Sequence, residues 1–477
     1  MCLSTLVLVI DNMVLTVAIP PLTADLGADA SDTQWILDSY ILVFAGLLLT
    51  AGSLSDRFGR RRIMVIGLVL FGAASLAASF AADPVQLIAG RAVMGIGGAL
   101  IMPSTLSILI TVFDDEERRK AMAAWSAVAM LGLIGGPVLG GALIAWFWWG
   151  AVFLINVPVA VVAIVAALVL MPESKGPQTK ADPIGALLSV VGMVALVWTI
   201  IEAPHGLPVA ALVIAVVALA AFIAWELRTP HPMVPLSLFR KRNFSGGSLS
   251  LTLVQVGNGG LLLVLTQYLQ FVLGYTPTQA GLAFLPMFVA SLAFNGLGAS
   301  LGAKVGNRIM IVAGMGVMAG GFGLLATLST GSGTLITSIA LFVLGAGGGL
   351  AMPAAIAALM GTIPAEHAGV GSALNDTIQQ AGAALGVAVL GSLLAAGYSA
   401  AMPAAAPSSA RRSIGDALAL ADPGLAQAAR QAFATAMSSA FTISAVGVLA
   451  AAILGLVLVR DHKNTQTAEP ENIPAAA

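Results

Sequence analysis

Charge is what this sequence has least of. Only 9% of its 477 residues are Asp, Glu, Lys or Arg, against 58% hydrophobic. Soluble domains carry about 25% charged residues, so this chain cannot cover a water-facing surface. Long apolar runs broken by short polar loops then leave one class that fits, a polytopic α-helical membrane protein. Cysteine is nearly missing too. Cys2 is the single one, which excludes an internal disulfide framework and a cysteine-rich metal site. His205, His231, His367 and His462 are scattered and make no metal constellation. No nucleophile–base pair can be assembled, so an enzyme is not expected. The glycines around Gly95 lie inside an apolar run and read as helix packing rather than a phosphate-binding loop, which speaks against ATP-driven chemistry. The net charge of −1 gives no sign of a nucleic-acid partner. A basic n-region is also missing after Met1. The first segment is therefore expected to stay as a membrane helix behind a very short amino terminus, or behind a start assigned a little late.

What is present is a series of apolar stretches of about 20 residues, each long enough to span a bilayer. Fourteen are expected: 3–22, 35–54, 63–82, 85–111, 121–144, 150–171, 184–203, 207–227, 246–273, 279–302, 308–328, 334–360, 370–397 and 433–459. With both termini cytoplasmic, 17 of the 21 basic residues fall in cytoplasmic segments, as the positive-inside rule requires. Thirteen spans would invert half of those loops. Three of the others, Arg411, Arg412 and Arg430, share one long external loop, 398–432, in which a short amphipathic helix is expected around 424–436. Arg91 alone lies within a span. The tail 461–477 is polar and expected to be disordered, and "DDEERRK" (114–120) reads as a solvated turn.

Two segments repeat at a spacing of 250 residues. "MGIGGALIMPSTLSIL" (94–109) matches "LGAGGGLAMPAAIAAL" (344–359), and the same offset carries Gly132, Gly136 and Gly141 onto Gly382, Gly386 and Gly391. "LSDRFGRR" (54–61) finds a weaker echo in "LGAKVGNR" (301–308). A duplicated six-helix unit explains this, with spans 7 and 8 inserted between the copies. The expected units are 1–175, the inserted helices and linkers 176–240, a second bundle 241–460 and the tail. Parallel repeats about an axis along the membrane normal suit a transporter that rocks its halves around a midplane site.

Four patterns carry the chemistry. Asp11, Asp38 and Asp376 are acids in or near spans, where an ionisable side chain is a functional hypothesis by default. The plainer reading is an acid satisfied by nearby hydroxyls or by Arg91. Arg91 must itself face protein or water; it acts as a fixed charge able to tune a neighbouring acid, or as half of a structural ion pair. The turn "GSLSDRFGRRR" (52–62) sets one acid among four arginines, with Gly52 and Gly59 seven residues apart; interfacial anchoring would explain the arginines alone. "GLIGGPVLGG" (132–141) opens one helix face for close contact through Gly132, Gly136, Gly140 and Gly141, while Pro137 favours a bend.

These motifs resemble those of the major facilitator superfamily. The 52–62 turn is similar to its signature loop at Asp56, Arg57, Gly59 and Arg60, which implies a charge network that latches the cytoplasmic face. The second copy has Ala303 where the acid would stand, so a second latch is expected to be weaker. "RAVMGIGGALIMP" (91–103) resembles the family's arginine-bearing fourth helix, implicated in proton coupling. "GxxxGPxxGG" in the fifth span resembles the motif of its antiporters. "DNMVLTVAIP" (11–20), "QWILDSYILVFAG" (34–46), "LINVPVA" (154–160), "MPESK" (171–175) and "LGVAVLGSL" (385–393) resemble fourteen-helix drug:proton antiporters of the quaternary-ammonium and methyl-viologen type.

The resemblance implies an all-α integral membrane protein with a major facilitator fold of 6 + 2 + 6 helices in two pseudo-symmetric bundles. It implies proton-coupled efflux of lipophilic cations, with Asp11, Asp38, Asp376 and Arg91 handling protons or cations. No cofactor beyond the proton gradient is implied, and the partners are small lipophilic or cationic substrates, protons and membrane lipid. The expected setting is a monomer in a bacterial cytoplasmic membrane. "FVASLAFNG" (288–296) lacks the acid some relatives use for divalent cations, which favours monovalent ones. Tyr40, Phe44, Met94 and Trp125, with Met102, Met352 and Trp198, could line a cavity, although core packing explains each one separately. Trp146, Trp148 and Trp149 read as an interfacial belt. Two rivals remain, a dedicated exporter of an endogenous metabolite or antibiotic and a non-transporting membrane sensor.

Overall fold

The computed structural model describes residues 1–112, 128, 131–132, 135–175, 182–230, 232–363, 368–420 and 422–459, and no strand occurs among them. The helices are α1 Cys2–Leu26, α2 Ala30–Phe58, α3 Arg60–Ala78, α4 Pro84–Val112, α5 Gly135–Trp146, α6 Ala151–Leu170, α7 Pro183–Glu202 and α8 Val209–Glu226. They continue with α9 Arg242–Val272, α10 Pro277–Gly302, α11 Asn307–Ala326, α12 Thr334–Met360, α13 Ala368–Ala401 and α14 Pro423–Leu458. Thirteen have the length and apolarity to cross a membrane. The other, α5, is the described end of the fifth expected span, most of whose earlier residues lie outside the described ones. So do the turn 114–120 and the tail 461–477.

Three boundaries differ from expectation, each for a local reason. Span 1 continues through Pro20 and Pro21 to Leu26, where Gly27 takes a left-handed φ of 64° and donates its N–H to Thr23 O. The amphipathic helix expected at 424–436 is not separate but forms the first turns of the 36-residue α14. Asp422 caps that helix by accepting from Gly424 N and Leu425 N, Pro423 occupies its first turn, and no breaker follows. The external loop instead holds two short helices, Ser408–Arg412 and Ile414–Ala419.

The repeat is visible in the packing. Gly97 of α4 packs on Gly67 and Phe71 of α3, while Gly347 of α12 packs on Gly314 and Met318 of α11. A methyl group at Gly67 would stand 2.8 Å from Gly97 O, and one at Gly314 would stand 2.7 Å from Gly347 O. The two corners also match. Gly59 between α2 and α3 has φ 113°, and Gly306 between α10 and α11 has φ 100°, conformations that L side chains rarely adopt. One apolar core gathers α1–α4 and α6, and a second gathers α9–α14. The inserted α7 joins them in a third cluster, where Val197 and Ile201 meet Leu42 of α2 and Ala384 and Ala388 of α13. α8 packs on α7 and leaves Val213, Val216 and Val217 exposed on its outer side, as lipid contact requires. The end of the molecule that carries Gly59 and Gly306 is termed the corner end, and the opposite one the far end.

Candidate functional site

The costliest side chains in this chain find one another. Arg91 of α4 and Asp11 of α1 are both buried, with Arg91 Nη1 2.5 Å from Asp11 Oδ2. The other carboxylate oxygen accepts from Asn156 Nδ2 of α6 at 2.8 Å, and that amide also reaches Ser75 Oγ of α3 at 3.0 Å. Arg91 Nε donates to Ile36 O at 3.2 Å, and its guanidinium lies 4.3 Å from the centre of the Tyr40 ring. Five helices therefore converge on one ion pair. A buried pair is tolerable only when its remaining polar atoms are satisfied in this way.

Arg91 forms part of the wall of a cavity of about 430 Å³ between the two cores. That is large enough for a drug-sized molecule. Helices α1, α2 and α4 line it from one side and α9, α10, α12 and α13 from the other. Tyr40 and Phe44 line it as a stacked pair with centroids 5.7 Å apart, and Met102 and Met352 line it from the two repeats. Met94 does not: its side chain is buried in the core formed by α1–α4 and α6. The intra-repeat glycines explain this, because they draw α4 onto its neighbours and turn that face inward. Trp125 lies outside the described residues. Trp198 is 45% exposed on the outer side of α7, away from the cavity. Trp146 and Trp148 are exposed as a belt should be, but Trp149 is buried and donates to Asp25 Oδ2 at 2.5 Å.

Neither remaining acid lines the cavity. Asp38 is completely buried, and both its oxygens lack a hydrogen-bond partner among the described residues. It stands one turn from Gln34, which touches Gly391 of α13, and one turn from Leu42, which packs with Ala384 and Ala388 of the same helix. Asp38 thus belongs to the seam between the two halves. Asp376 accepts from Asn375 Nδ2 at 3.0 Å and sits one turn before Gln380, a residue of the cavity wall.

At the corner end, Arg60 makes two contacts of 2.8 Å with Asp56 Oδ1, and Arg57 lies over the Phe58 ring at 5.2 Å. Gly52 gives room to Pro103 of α4. The turn is also tied to the segment after α6: Arg60 N donates to Ser174 O, Arg61 N to Glu173 Oε1, and Arg61 Nη1 to Met171 O. At the far end, Asp416 of the short helix Ile414–Ala419 is influenced by Arg412 and by Asp29 of the opposite half. Burial pushes its carboxyl up, Arg412 draws it down, and Asp29 adds to the rise.

The glycine face that runs from Gly132 into α5 has definite partners. Gly132 packs on Val9, Gly136 on Met13 and Gly140 on Val14 and Val17, all of α1, while Gly141 meets Thr278 and Pro137 meets Gly281 at the start of α10. The motif therefore seats α5 against the helix that carries Asp11 and against the other half. Sequence reasoning missed Asn156 and Glu173, although both stood in segments singled out for other reasons. It also missed Gln255, Asn258 and Gln380, which line the cavity. For all of these but Glu173, the available signal was a carboxamide within a membrane span.

The Major Facilitator Superfamily model matches residues 1–387 and 248–474 of the chain. The chain belongs to the major facilitator superfamily. It is accordingly a multi-pass membrane transporter and not an enzyme, and its two related bundles with the two inserted helices α7 and α8 fit the superfamily's plan. Among proteins of similar sequence is "Multidrug efflux pump LfrA" of Mycolicibacterium smegmatis, 36% identical over 96% of this chain and 95% of that protein. "Methyl viologen resistance protein SmvA" of Salmonella typhimurium is 34% identical over 90% and 92%. "Tetracenomycin C resistance and export protein" of Streptomyces glaucescens is 31% identical over 98% and 92%. Among solved structures, a bacterial homologue of the human lysosomal transporter Spinster in an inward-facing, occupied conformation has a TM-score of 0.69 at 17% identity. It covers 96% of this chain and 94% of that one, and at this identity it attests the major facilitator fold alone.

Proposed function

We propose that this protein exports lipophilic, monovalent cationic compounds from the cytoplasm in exchange for protons. In this reading it is a monomer in a bacterial cytoplasmic membrane with both termini inside, so the corner end is cytoplasmic. Residues 1–175 and 241–460 are the two moving units, and Asp56, Arg57 and Arg60 latch the cytoplasmic face together with Glu173. The names of the similar proteins support efflux, and the distribution of basic residues supports the orientation.

The observation that carries the proton coupling is the Asp11–Arg91 pair, whose arginine forms part of the cavity wall while the aspartate is buried beside it. With Asp11 ionised the pair is neutral, and the cavity tolerates a cation against its aromatic, thioether and amide surfaces. Once Asp11 takes a proton, Arg91 carries an uncompensated charge facing the cation. Two unit charges about 8 Å apart at an effective dielectric of 20 repel by about 2 kcal/mol, which weakens binding about 30-fold. One proton in and one cation out leaves the charge of the wall and its occupant together unchanged. Asp38 in the seam and Asp376 below the cavity are the further acids that take protons from outside or draw the cation in.

Reconstituted protein should show ethidium efflux that follows an imposed pH gradient and stops when the gradient is collapsed. Asp11→Asn should bind ethidium about 30-fold more weakly and lose the pH dependence of binding. Retained pH-dependent binding in that variant would exclude Asp11 from the exchange. A second reading, dedicated export of an endogenous metabolite or antibiotic, draws on the tetracenomycin-exporting relative and on the uncharged amides of the cavity. A substrate screen in which export is confined to uncharged compounds would favour it.

A further inference from the structure

Both walls of the cavity carry rings and thioethers, Phe44, Met13 and Met102 on the side of α1, α2 and α4 and Met287, Phe288 and Met352 on the other. What differs is the amides, of which the first side has Asn12 alone. The opposite wall brings together three carboxamides, Gln255 and Asn258 of α9 and Gln380 of α13. Residues three apart share a helix face, so Gln255 and Asn258 point to the same side. α13 is held tightly beside them because Gly382 packs on Thr252 and Gly386 on Val256 of α9.

These amides satisfy one another only in part. Asn258 Nδ2 donates to Gln255 Oε1 at 3.2 Å, and Gln255 Nε2 reaches Gln379 Oε1 only at 3.5 Å. Gln380 has no hydrogen-bond partner among the described residues. Each carboxamide offers two donors and an acceptor with two lone pairs, so most of the patch's capacity is turned toward the cavity. Polar groups left without partners in an apolar membrane core are costly, and an occupant that supplies partners recovers that cost.

We propose that Gln255, Asn258 and Gln380 form a hydrogen-bonding subsite for amino, hydroxyl or carbonyl groups at one end of a flat amphipathic ligand. The ligand's apolar body then lies against Phe44 and the methionines. This rests on the reading of the cavity as the place where the exported compound binds. The consequence is selectivity among cations of equal charge. A site built to hydrogen-bond a ligand rejects the analogue that leaves its buried polar groups unpaired, whereas charge and apolar area alone would not discriminate.

Two monovalent lipophilic cations test this: ethidium, which carries two aromatic amines, and tetraphenylphosphonium, which has no hydrogen-bonding group. Equilibrium binding of each to the purified full-length protein is compared with Asn258→Leu, Gln380→Leu and the conservative Asn258→Gln. Ethidium affinity should fall about 10-fold in each leucine variant and recover in part with the glutamine, while tetraphenylphosphonium affinity stays within about twofold. Parallel loss of both cations, or unchanged ethidium affinity, overturns the subsite. If a leucine variant does not elute as a monodisperse species, Asn258→Ser and Gln380→Met replace it under the same criterion. Amide-dependent ethidium binding by a wild type that exports neither cation upholds the subsite and defeats the export reading. A wild type that binds neither defeats both.

Discussion

At the scale of single residues, the ion pair of Asp11 and Arg91 is the buried charge pair of the site. Removing one partner of a buried pair costs about 3–5 kcal/mol because the other charge is stranded, whereas removing both leaves packed hydrocarbon at little cost. Asp11→Leu should therefore lower the unfolding temperature in detergent strongly, and the double variant Asp11→Leu with Arg91→Met should regain most of it. If the double variant is no more stable than the single one, the two charges are not coupled as described. Each member was legible in the sequence, because a charge in an apolar run stands out without any knowledge of the fold. Their pairing stood only as one of the plainer readings, since they lie 80 positions apart and no local periodicity joins them. Asn156 and the cavity amides escaped for a different reason. They carry no charge and cost less in hydrocarbon, so they stand out less than an ionisable group does. Asp38 was legible as a buried acid, but its place in the seam depends on where α13 lies.

At the scale of elements, the corner at Gly59 and the face of α5 are the most constrained. A side chain at Gly59 would both adopt a φ of 113° and bring its Cβ to 2.7 Å from the Glu173 carboxylate. Gly59→Ala should cost about 1–3 kcal/mol and, by pushing Glu173 away from Arg61 N, loosen the corner. Faster proteolysis at the 171–175 segment would report that loosening; unchanged cleavage would mean that Glu173 does not hold the corner. On α5, Gly136→Val places a branched side chain into Met13 of α1, close in sequence to Asp11. Transport should drop to background although the protein still inserts, and normal efflux would show that the α1–α5 approach is dispensable. The existence of these helices was readable from apolar length alone. Their ends were less so: α1 ran through two prolines, and α14 absorbed an amphipathic stretch, because capping by Gly27 and Asp422 overrides the change in side-chain polarity.

At the scale of the molecule, the repeat in sequence announced two related bundles, and the glycine contacts of α3 with α4 and of α11 with α12 repeat it in space. What the repeat could not announce is how α7 is used. It touches both bundles, with Ser31 of α2 donating to Glu202 and Ser392 of α13 donating to Ile200 O. If the bundles move against each other as proposed, the seam of α2 and α13 beneath it shears. Cysteines at Gln34 and Gly391, in a Cys2→Ser background, should cross-link under oxidation and arrest efflux until reduced; full-rate efflux by the cross-linked protein would rule out that shear. The single native cysteine makes the experiment clean. There remains the guanidinium over the Tyr40 ring, held there by an aspartate that belongs to the protein. The chain keeps a tethered decoy in its own chamber, a passenger that never disembarks. In the exchange proposed above, an organic cation meets an aromatic berth already taken and lodges beside a resident whose charge a single proton unmasks.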